Sequence, residues 1–297
     1  MNVAFLGLGA IGAPMARHLA SRYDLAVWNR TASKAEAFAS EHRARAARTP
    51  ADAARNAAVV VTCLPTSREV RALLDGEEGL LTTMARGTIV VDCTSGDPAT
   101  SREIAALLAS RGVGFVDAPV SGGVTGAEQG KLAVMCGGDR EIVDRVRPVL
   151  EAFGEKIVHC GPVGAGHAVK AVNQAMLGIH IWALAEGFVA LEKAGVPTKA
   201  ALDVINASSG RSNASMNLFP ERVMTRAFPR TFRLALLDKD VRIAADFARE
   251  HGVASPLLQL TSELMRLARE ELGEEADHVE AVRVVERMAG TEIGGGA

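Results

Sequence analysis

Lys170 sits in the run Ala168-Val169-Lys170-Ala171-Val172-Asn173-Gln174. Asn173 and Gln174, three and four residues on, share its face of a helix. A lysine among apolar neighbours loses hydration. That disfavours the ammonium form and makes the amine able to give and take protons near neutral pH. The competing reading is a lysine whose stem lies on apolar surface while its head reaches solvent. The two clustered amides, and a place one turn beyond Gly164-x-Gly166, favour proton transfer. A second constellation is Asp117-Ala118-Pro119-Val120-Ser121-Gly122-Gly123-Val124, which follows an apolar run. Backbone amides of such a turn form an anion-binding concavity to which the Ser121 hydroxyl adds a donor, and a carboxylate is the natural guest. A turn that only needs glycine for positive φ fits the same residues.

The third constellation is Gly7-Leu8-Gly9-Ala10-Ile11-Gly12, placed between the apolar run Asn2–Leu6 and a helical stretch from Ala13 to Arg22. Strand, glycine turn and helix in this order suit a dinucleotide pyrophosphate. Gly7 permits the tight turn, Gly9 the approach of backbone to phosphate, and Gly12 the packing of helix on strand. The next strand, Asp24–Trp28, ends in Asn29-Arg30-Thr31, where an NAD enzyme carries the acid that holds the ribose 2′-hydroxyl. With no acid there, Arg30 can grip a 2′-phosphate, and the amide of Asn29 and hydroxyl of Thr31 can add hydrogen bonds. NADP is therefore expected ahead of NAD. A solvated Arg30 before a helix capped by Thr31 or Ser33 is the alternative.

The elements that must position these residues fall into two parts. Up to about residue 161, apolar β-rich runs (Ala58–Leu64, Thr88–Cys93, Gly114–Asp117, Leu132–Cys136 and Ile157–Cys160) alternate with helical stretches such as Pro98–Ser110 and Asp139–Phe153. Near-continuous apolar strands alternating with helices predict a largely parallel sheet covered on both faces. No strand signal follows. His167 to Lys193 reads as one helix about 40 Å long, apolar on most sides, which must be covered all round by the second domain and a partner subunit. Further helices are expected over Lys199–Ala207, Asp238–His251, Pro256–Leu272 and Asp277–Met288, and a mobile glycine-rich tail over Gly290–Ala297.

Composition narrows the function. The 297 residues suffice for two domains, and the formal charge of −2 gives no electrostatic case for nucleic acid or an anionic membrane. Cys63, Cys93, Cys136 and Cys160 lie far apart without metal-ligand spacing, so they read as core fillers in a reducing compartment, with no metal site. The longest apolar stretch, Ala175–Ala185, is interrupted by Gly178 and His180 and is too short to span a bilayer. The first strand begins directly after Met1, and the expected location is the cytoplasm.

Taken together the chain resembles the β-hydroxyacid dehydrogenase family, over essentially its whole length. Phe5–Ala16 resembles the family's N-terminal signature, Asp117–Gly123 its substrate-binding motif, and Gly164-x-Gly166-x-x-x-Lys170-x-x-Asn173 its catalytic motif. Lys239-Asp240 after Phe232 resembles its cofactor-closing motif. The resemblance implies an α/β chain, with a Rossmann-type doubly wound parallel sheet followed by an all-α C-terminal domain joined through a long interdomain helix. The implied domains are a dinucleotide-binding domain at 1–162 and a substrate and oligomerisation domain at 163–297.

The resemblance also implies roles. Lys170 is the general acid/base at the substrate hydroxyl. Ser121, Gly122, Gly123, Asn173 and Gln174 hold the substrate. Gly7, Gly9, Ala10, Ile11, Gly12, Asn29, Arg30, Thr31, Leu64, Pro65 and Ser95 hold the cofactor, and Lys239 lies over its nicotinamide end. Ser95 stands where the family usually has threonine, and Gln174 where it commonly has a second asparagine; the added methylene bears on substrate identity.

The expected reaction is NADP-dependent oxidation of a small 3-hydroxy acid, foremost 3-hydroxyisobutyrate, to its semialdehyde. The alternatives are NADPH-dependent reduction of glyoxylate or succinic semialdehyde, and a catalytically silent dinucleotide-binding module. A homodimer or homotetramer is expected. The polar segment Asn206–Ala214 matches the loop lining the family's substrate cleft, where Arg211 serves a carboxylate or a surface salt bridge. His167 and His180 read as packed or interface histidines.

Overall fold

A computed structural model describes residues 1–294 of the chain. It divides into two compact units, Met1–Lys170 and Ala171 onward. The division along the chain falls inside the long helix, at Lys170/Ala171.

The first unit is built on nine strands. They are β1 (Asn2–Leu6), β2 (Asp24–Trp28), β3 (Ala44–Ala46), β4 (Val59–Thr62), β5 (Ile89–Asp92), β6 (Gly114–Asp117), β7 (Val120–Ser121), β8 (Leu132–Gly137) and β9 (Gly154–Gly161). Their order is β3-β2-β1-β4-β5-β6-β8-β7, with β9 also paired to β8. Strands β1 to β6 pair in parallel, β8 runs antiparallel to β6 and β7, and β9 parallel to β8. The order 3-2-1-4-5-6 is the doubly wound dinucleotide-binding arrangement. Short β3 and β7 were not expected; two or three residues leave no periodicity to read.

Burial explains the apolar runs. Val3 and Phe5 of β1 enter one core with Val59, Val61 and Val91, while Ala4 and Leu6 enter another with Val60 and Val90. Successive side chains point to opposite faces and both faces are covered, so no polar alternation survives. The helices of this unit are α1 (Gly12–Ala20), α2 (Ala32–Glu41), α3 (Pro50–Ala54), α4 (Ser67–Ala72), α5 (Pro98–Ser110), α6 (Gly123–Gln129) and α7 (Arg140–Leu150). The expected Asp139–Phe153 shortens to α7 because Asp139 is its N-cap, accepting from Glu141 and Ile142 amides.

Helix α8 (Ala165–Lys193) crosses from one unit to the next. By length and composition it could cross a membrane, contrary to the expectation from its apolar stretch. From Ala171 onward, however, it contributes Ala175, Ile181, Trp182, Ala185 and Phe188 to the second unit's core. That unit is helical, with α9 (Thr198–Asn206), α10 (Leu234–Glu250), α11 (Pro256–Leu272) and α12 (Val282–Ala289).

A ten-residue π-helix, Ala214–Val223, was not expected. Pro220 inside it lacks an N–H, and the carbonyl of Ser215 is satisfied instead by Asn206 Nδ2 at 3.1 Å. Helix α10 begins at Leu234 rather than Asp238 because the chain before it is already fixed. Asp277 accepts from the amides of Thr231 and Phe232, and Ala276 from that of Leu234. The tail is not loose as far as it is described: Ile293 is buried, its amide bonded to Glu286, and the Gly294 amide is bonded to Glu192. Residues 295–297 of the expected mobile tail lie outside the described residues.

Candidate active site

The register sets Leu6 level with both Trp28 and Thr62. The loops after β1, β2 and β4 therefore emerge side by side where the strand order reverses, the place at which open α/β sheets bind ligands. Each glycine of the first loop has a distinct reason. Gly7 has φ +108°, and a Cβ there would overlap the carbonyl of Cys63. A Cβ on Gly12 would overlap the carbonyl of Gly7, whereas Gly9 faces open space. The packing of helix on strand and an exposed backbone at Gly9 and Ala10 follow from these contacts. Ile11 is the N-cap of α1 and makes no side-chain cap bond; because the Ala13 amide is bonded to the Gly9 carbonyl and Pro14 has no N–H, it is the amides ahead of Ala13 that could face an anion. Leu64, half-buried, and Pro65, exposed, follow directly on the carbonyl of Cys63 that Gly7 packs against.

Asn29 supports this loop. Its Oδ1 accepts from the Leu8 amide at 3.0 Å and its Nδ2 donates to the Thr31 carbonyl at 3.1 Å. Much of the amide's capacity is thus spent inside the protein. Thr31 is the N-cap of α2 by position but makes no side-chain cap bond. Arg30 is exposed, and no acid among the described residues pairs with it.

The loops after β5 and β6 converge on the start of α8. Thr62 and the Thr94 amide both donate to Asp92 Oδ1, at 2.8 and 3.0 Å, and the Thr94 hydroxyl accepts from the Leu64 amide at 3.1 Å. Ser95, next in the chain, is half-buried. Asp117, fully buried at the end of β6, accepts from the amides of Gly164 (2.7 Å) and His167 (3.0 Å). It caps α8 across the fold. Gly137 and Gly166 leave room for its carboxylate, since a Cβ on either would crowd it. Asp117 was legible as a motif member but not as a cap, because its partners are remote in sequence.

Ser121, Gly122 and Gly123 bridge β7 and α6. Gly122 and Gly123 have φ of +136° and +64°, so the turn needs glycine on conformational grounds. Both are exposed, and Gly123 faces open space.

On α8, Lys170 is 7 % exposed. Asn173 and Gln174 stand one turn on. Asn173 Nδ2 donates to Gln174 Oε1 at 3.2 Å, and Gln174 Nε2 donates to Asp240 Oδ2 at 3.3 Å. The methylene by which glutamine exceeds asparagine is used to reach Asp240, whose Oδ1 pairs with Lys239 Nζ at 2.9 Å. Arg211 is exposed and, among the described residues, pairs with no acid. His167 is packed: its ring meets Ser101 and the Thr94 carbonyl. His180 is half-buried. Burial pushes the Cys136 thiol up to about 12, with Cys160 and Asp117 adding to the rise, consistent with an inert core filler.

Comparison with known proteins agrees with this geometry. Residues 2–161 match the family described as the NAD binding domain of 6-phosphogluconate dehydrogenase. Residues 164–285 match the family described as NAD-binding of NADP-dependent 3-hydroxyisobutyrate dehydrogenase. The 2-(hydroxymethyl)glutarate dehydrogenase of Eubacterium barkeri is 33% identical over 100% of this chain and 98% of its own. The NAD-dependent L-serine dehydrogenase of Pseudomonas aeruginosa is 34% identical over 90% of this chain and 91% of its own. A structure of Mycobacterium tuberculosis 3-hydroxyisobutyrate dehydrogenase with L-serine superposes with a TM-score of 0.87 at 32% identity, covering 96% of this chain and 98% of that one. With both halves matched in order and the glycine loop shaped for a dinucleotide, the chain belongs to the β-hydroxyacid dehydrogenase family and is an NAD(P)-dependent hydroxyacid dehydrogenase.

Proposed function

We propose that the protein oxidises a small 3-hydroxy acid, foremost 3-hydroxyisobutyrate, to its semialdehyde, with NADP preferred and Lys170 as the proton-transfer group. The carrying observation is Lys170 itself: a buried lysine on a capped helix, with two carboxamides one turn away. The cradle fits the cofactor, because Gly9 and Ala10 offer open backbone while Gly7 and Gly12 are closed to any side chain. Gly7, Gly9, Ala10, Ile11 and Gly12 would hold the pyrophosphate, Arg30 and Thr31 the 2′-phosphate, and Leu64, Pro65, Ser95 and Lys239 the remainder. Asn29 supports that set through Leu8. When bound, the nicotinamide supplies the hydride acceptor.

The chain's own residues orient the acid and move its proton. Ser121 and the amides of Gly122 and Gly123 hold the carboxylate. Asn173 and Gln174 present amides to the substrate's polar groups, and Lys170 in its amine form accepts the hydroxyl proton as the carbonyl forms. The related enzymes are named for differing acids, and one is NAD-dependent. The choice of NADP therefore rests on Arg30, exposed and without an acid beside it. The same residues serve reduction of glyoxylate or succinic semialdehyde, in which hydride and proton pass to the aldehyde and the resulting hydroxyl stands at C2 or C4 of the acid instead of C3.

Exposed Val169, Val172 and Met176 form an apolar stripe on α8. We assign it to a second copy of the chain in the cytoplasm. Light scattering should give at least twice the 31.2 kDa of one chain; a monomer at micromolar concentration contradicts it. A turnover panel tests the function. It comprises 3-hydroxyisobutyrate, 3-hydroxypropionate, 4-hydroxybutyrate, L-serine, succinic semialdehyde and glyoxylate, each with NADP(H) and NAD(H). Highest kcat/KM for 3-hydroxyisobutyrate with NADP is expected; no turnover of any acid or aldehyde overturns the proposal.

A further inference from the structure

His167 is fully buried and takes no part in the chemistry above, yet every polar atom it owns near the start of α8 is engaged. Its backbone amide donates to Asp117 at 3.0 Å. Its ring Nε2 lies 2.8 Å from the Thr94 carbonyl and its Nδ1 2.6 Å from Ser101 Oγ. A carbonyl can only accept, so Nε2 carries the hydrogen, while the Ser101 hydroxyl stands between two acceptors, Nδ1 and the Asp97 carbonyl at 2.9 Å. The loop after β5 is shaped to the ring: a Cβ on Gly96 would stand 2.8 Å from His167 Cε1.

The two sets of contacts constrain different motions. Asp117 bonds to backbone amides of the first turn and anchors the end of α8, but a cap at the end of a helix leaves rotation about its axis to be set elsewhere. The ring reaches off that axis to two fixed points, the Thr94 carbonyl and α5. Thr94 precedes Ser95 and is held in turn through Leu64 N and Asp92. Lys170 lies three residues after His167, on the adjoining part of the helix surface. Rotation of the first turn would swing its amine.

We propose that His167 is a positioning residue: by tying the first turn of α8 to the Thr94 carbonyl it sets where Lys170 Nζ stands relative to the Thr94-Ser95 loop. This rests on the reading of Lys170 as the proton-transfer group. The Thr94 link carries the effect, because it joins the helix to the loop that bears Ser95, whereas Ser101 joins it only to α5.

The test compares His167→Leu, His167→Gln and His167→Asn with wild type and Lys170→Ala, using the acid of the panel that turns over fastest and NADPH fluorescence for cofactor binding. Glutamine can place an N–H near the position of Nε2 and keep the Thr94 bond; asparagine reaches only the Ser101 side. Misplacement by about 1 Å costs up to a hundredfold. His167→Leu and His167→Asn should therefore lose about ten- to a hundredfold in kcat, with KM and NADPH binding within about threefold of wild type, and His167→Gln should recover most of the loss. If the leucine variant does not fold, the glutamine and asparagine pair decides. Equal kcat in those two, or wild-type kcat with only a lowered melting temperature, overturns the inference. Activity retained by Lys170→Ala overturns the proposed function instead, and the two failures are separate.

Discussion

The two units of this molecule hold their shape by different means. In the first, the glycine loop is set by close backbone approach, beside two buried acids, Asp92 and Asp117, that hold the ends of β5 and β6. Glycines at positions 7, 12, 137 and 166 bring main chain against main chain or against a carboxylate, and the strand ends do the rest. In the second, distant segments are joined by buried acids. Asp277 accepts from Thr231, Phe232 and Val279 and pairs with Arg222, while Glu286 pairs with Arg226 and holds Ile293. A backbone-built site leaves glycine spacings in the sequence. A carboxylate hub leaves one acidic residue that looks like any other.

The sharpest contrast should come from Asp277. Burial alone would raise its carboxyl, but the hydrogen bond and charge of His278 and the amides of Thr231 and Phe232 hold it well below the usual carboxylate range. Asp277→Ala strands these donors and should cost about 3–5 kcal/mol of stability at pH 7. It should leave NADPH binding by the first unit largely intact. A group lowered in the folded state stabilises fully above its unfolded value, near 3.9, and less as pH falls below it. The gap between wild type and variant in urea midpoints should therefore narrow on acidification below pH 4. A gap independent of pH, or lost NADPH binding, breaks the contrast.

The converse case is Gly12→Ala. Its Cβ would overlap the Gly7 carbonyl, and displacing α1 should weaken NADPH about a hundredfold, near 3 kcal/mol. The second unit's stability should not change. Smaller again is Arg30→Ala, which removes a charge-assisted pair worth about 1.5–3 kcal/mol. The apparent constant for NADP should rise about ten- to a hundredfold while that for NAD barely moves, and equal losses would refute the 2′-phosphate role.

The same contrast decides what could be read without coordinates. The doubly wound sheet was legible because Val3, Ala4, Phe5 and Leu6 are all apolar, which happens when both faces are covered. The glycine loop and the Lys170 helix were legible because their spacing is local. Asp117 as the cap of α8, Asn29 as the support of Leu8, and His167 between Thr94 and Ser101 were not, since each bond joins residues far apart in sequence. Nor was the π-helix, whose single sequence sign, Pro220, argues against any helix. The tail misled in the opposite direction. Its glycines suggested freedom, but Ile293 among them is buried.

The measurement that bears most directly on the central claim is steady-state turnover by Lys170→Ala, with NADPH fluorescence and thermal melting measured on the same sample. Proton transfer by a positioned side chain contributes about 10²–10⁴-fold. Turnover should fall by at least a hundredfold with cofactor binding and melting close to wild type. Lys170→Arg should recover little, because guanidinium stays protonated and cannot take the hydroxyl proton. A Lys170→Ala enzyme that kept a third of wild-type turnover would contradict the assignment of Lys170.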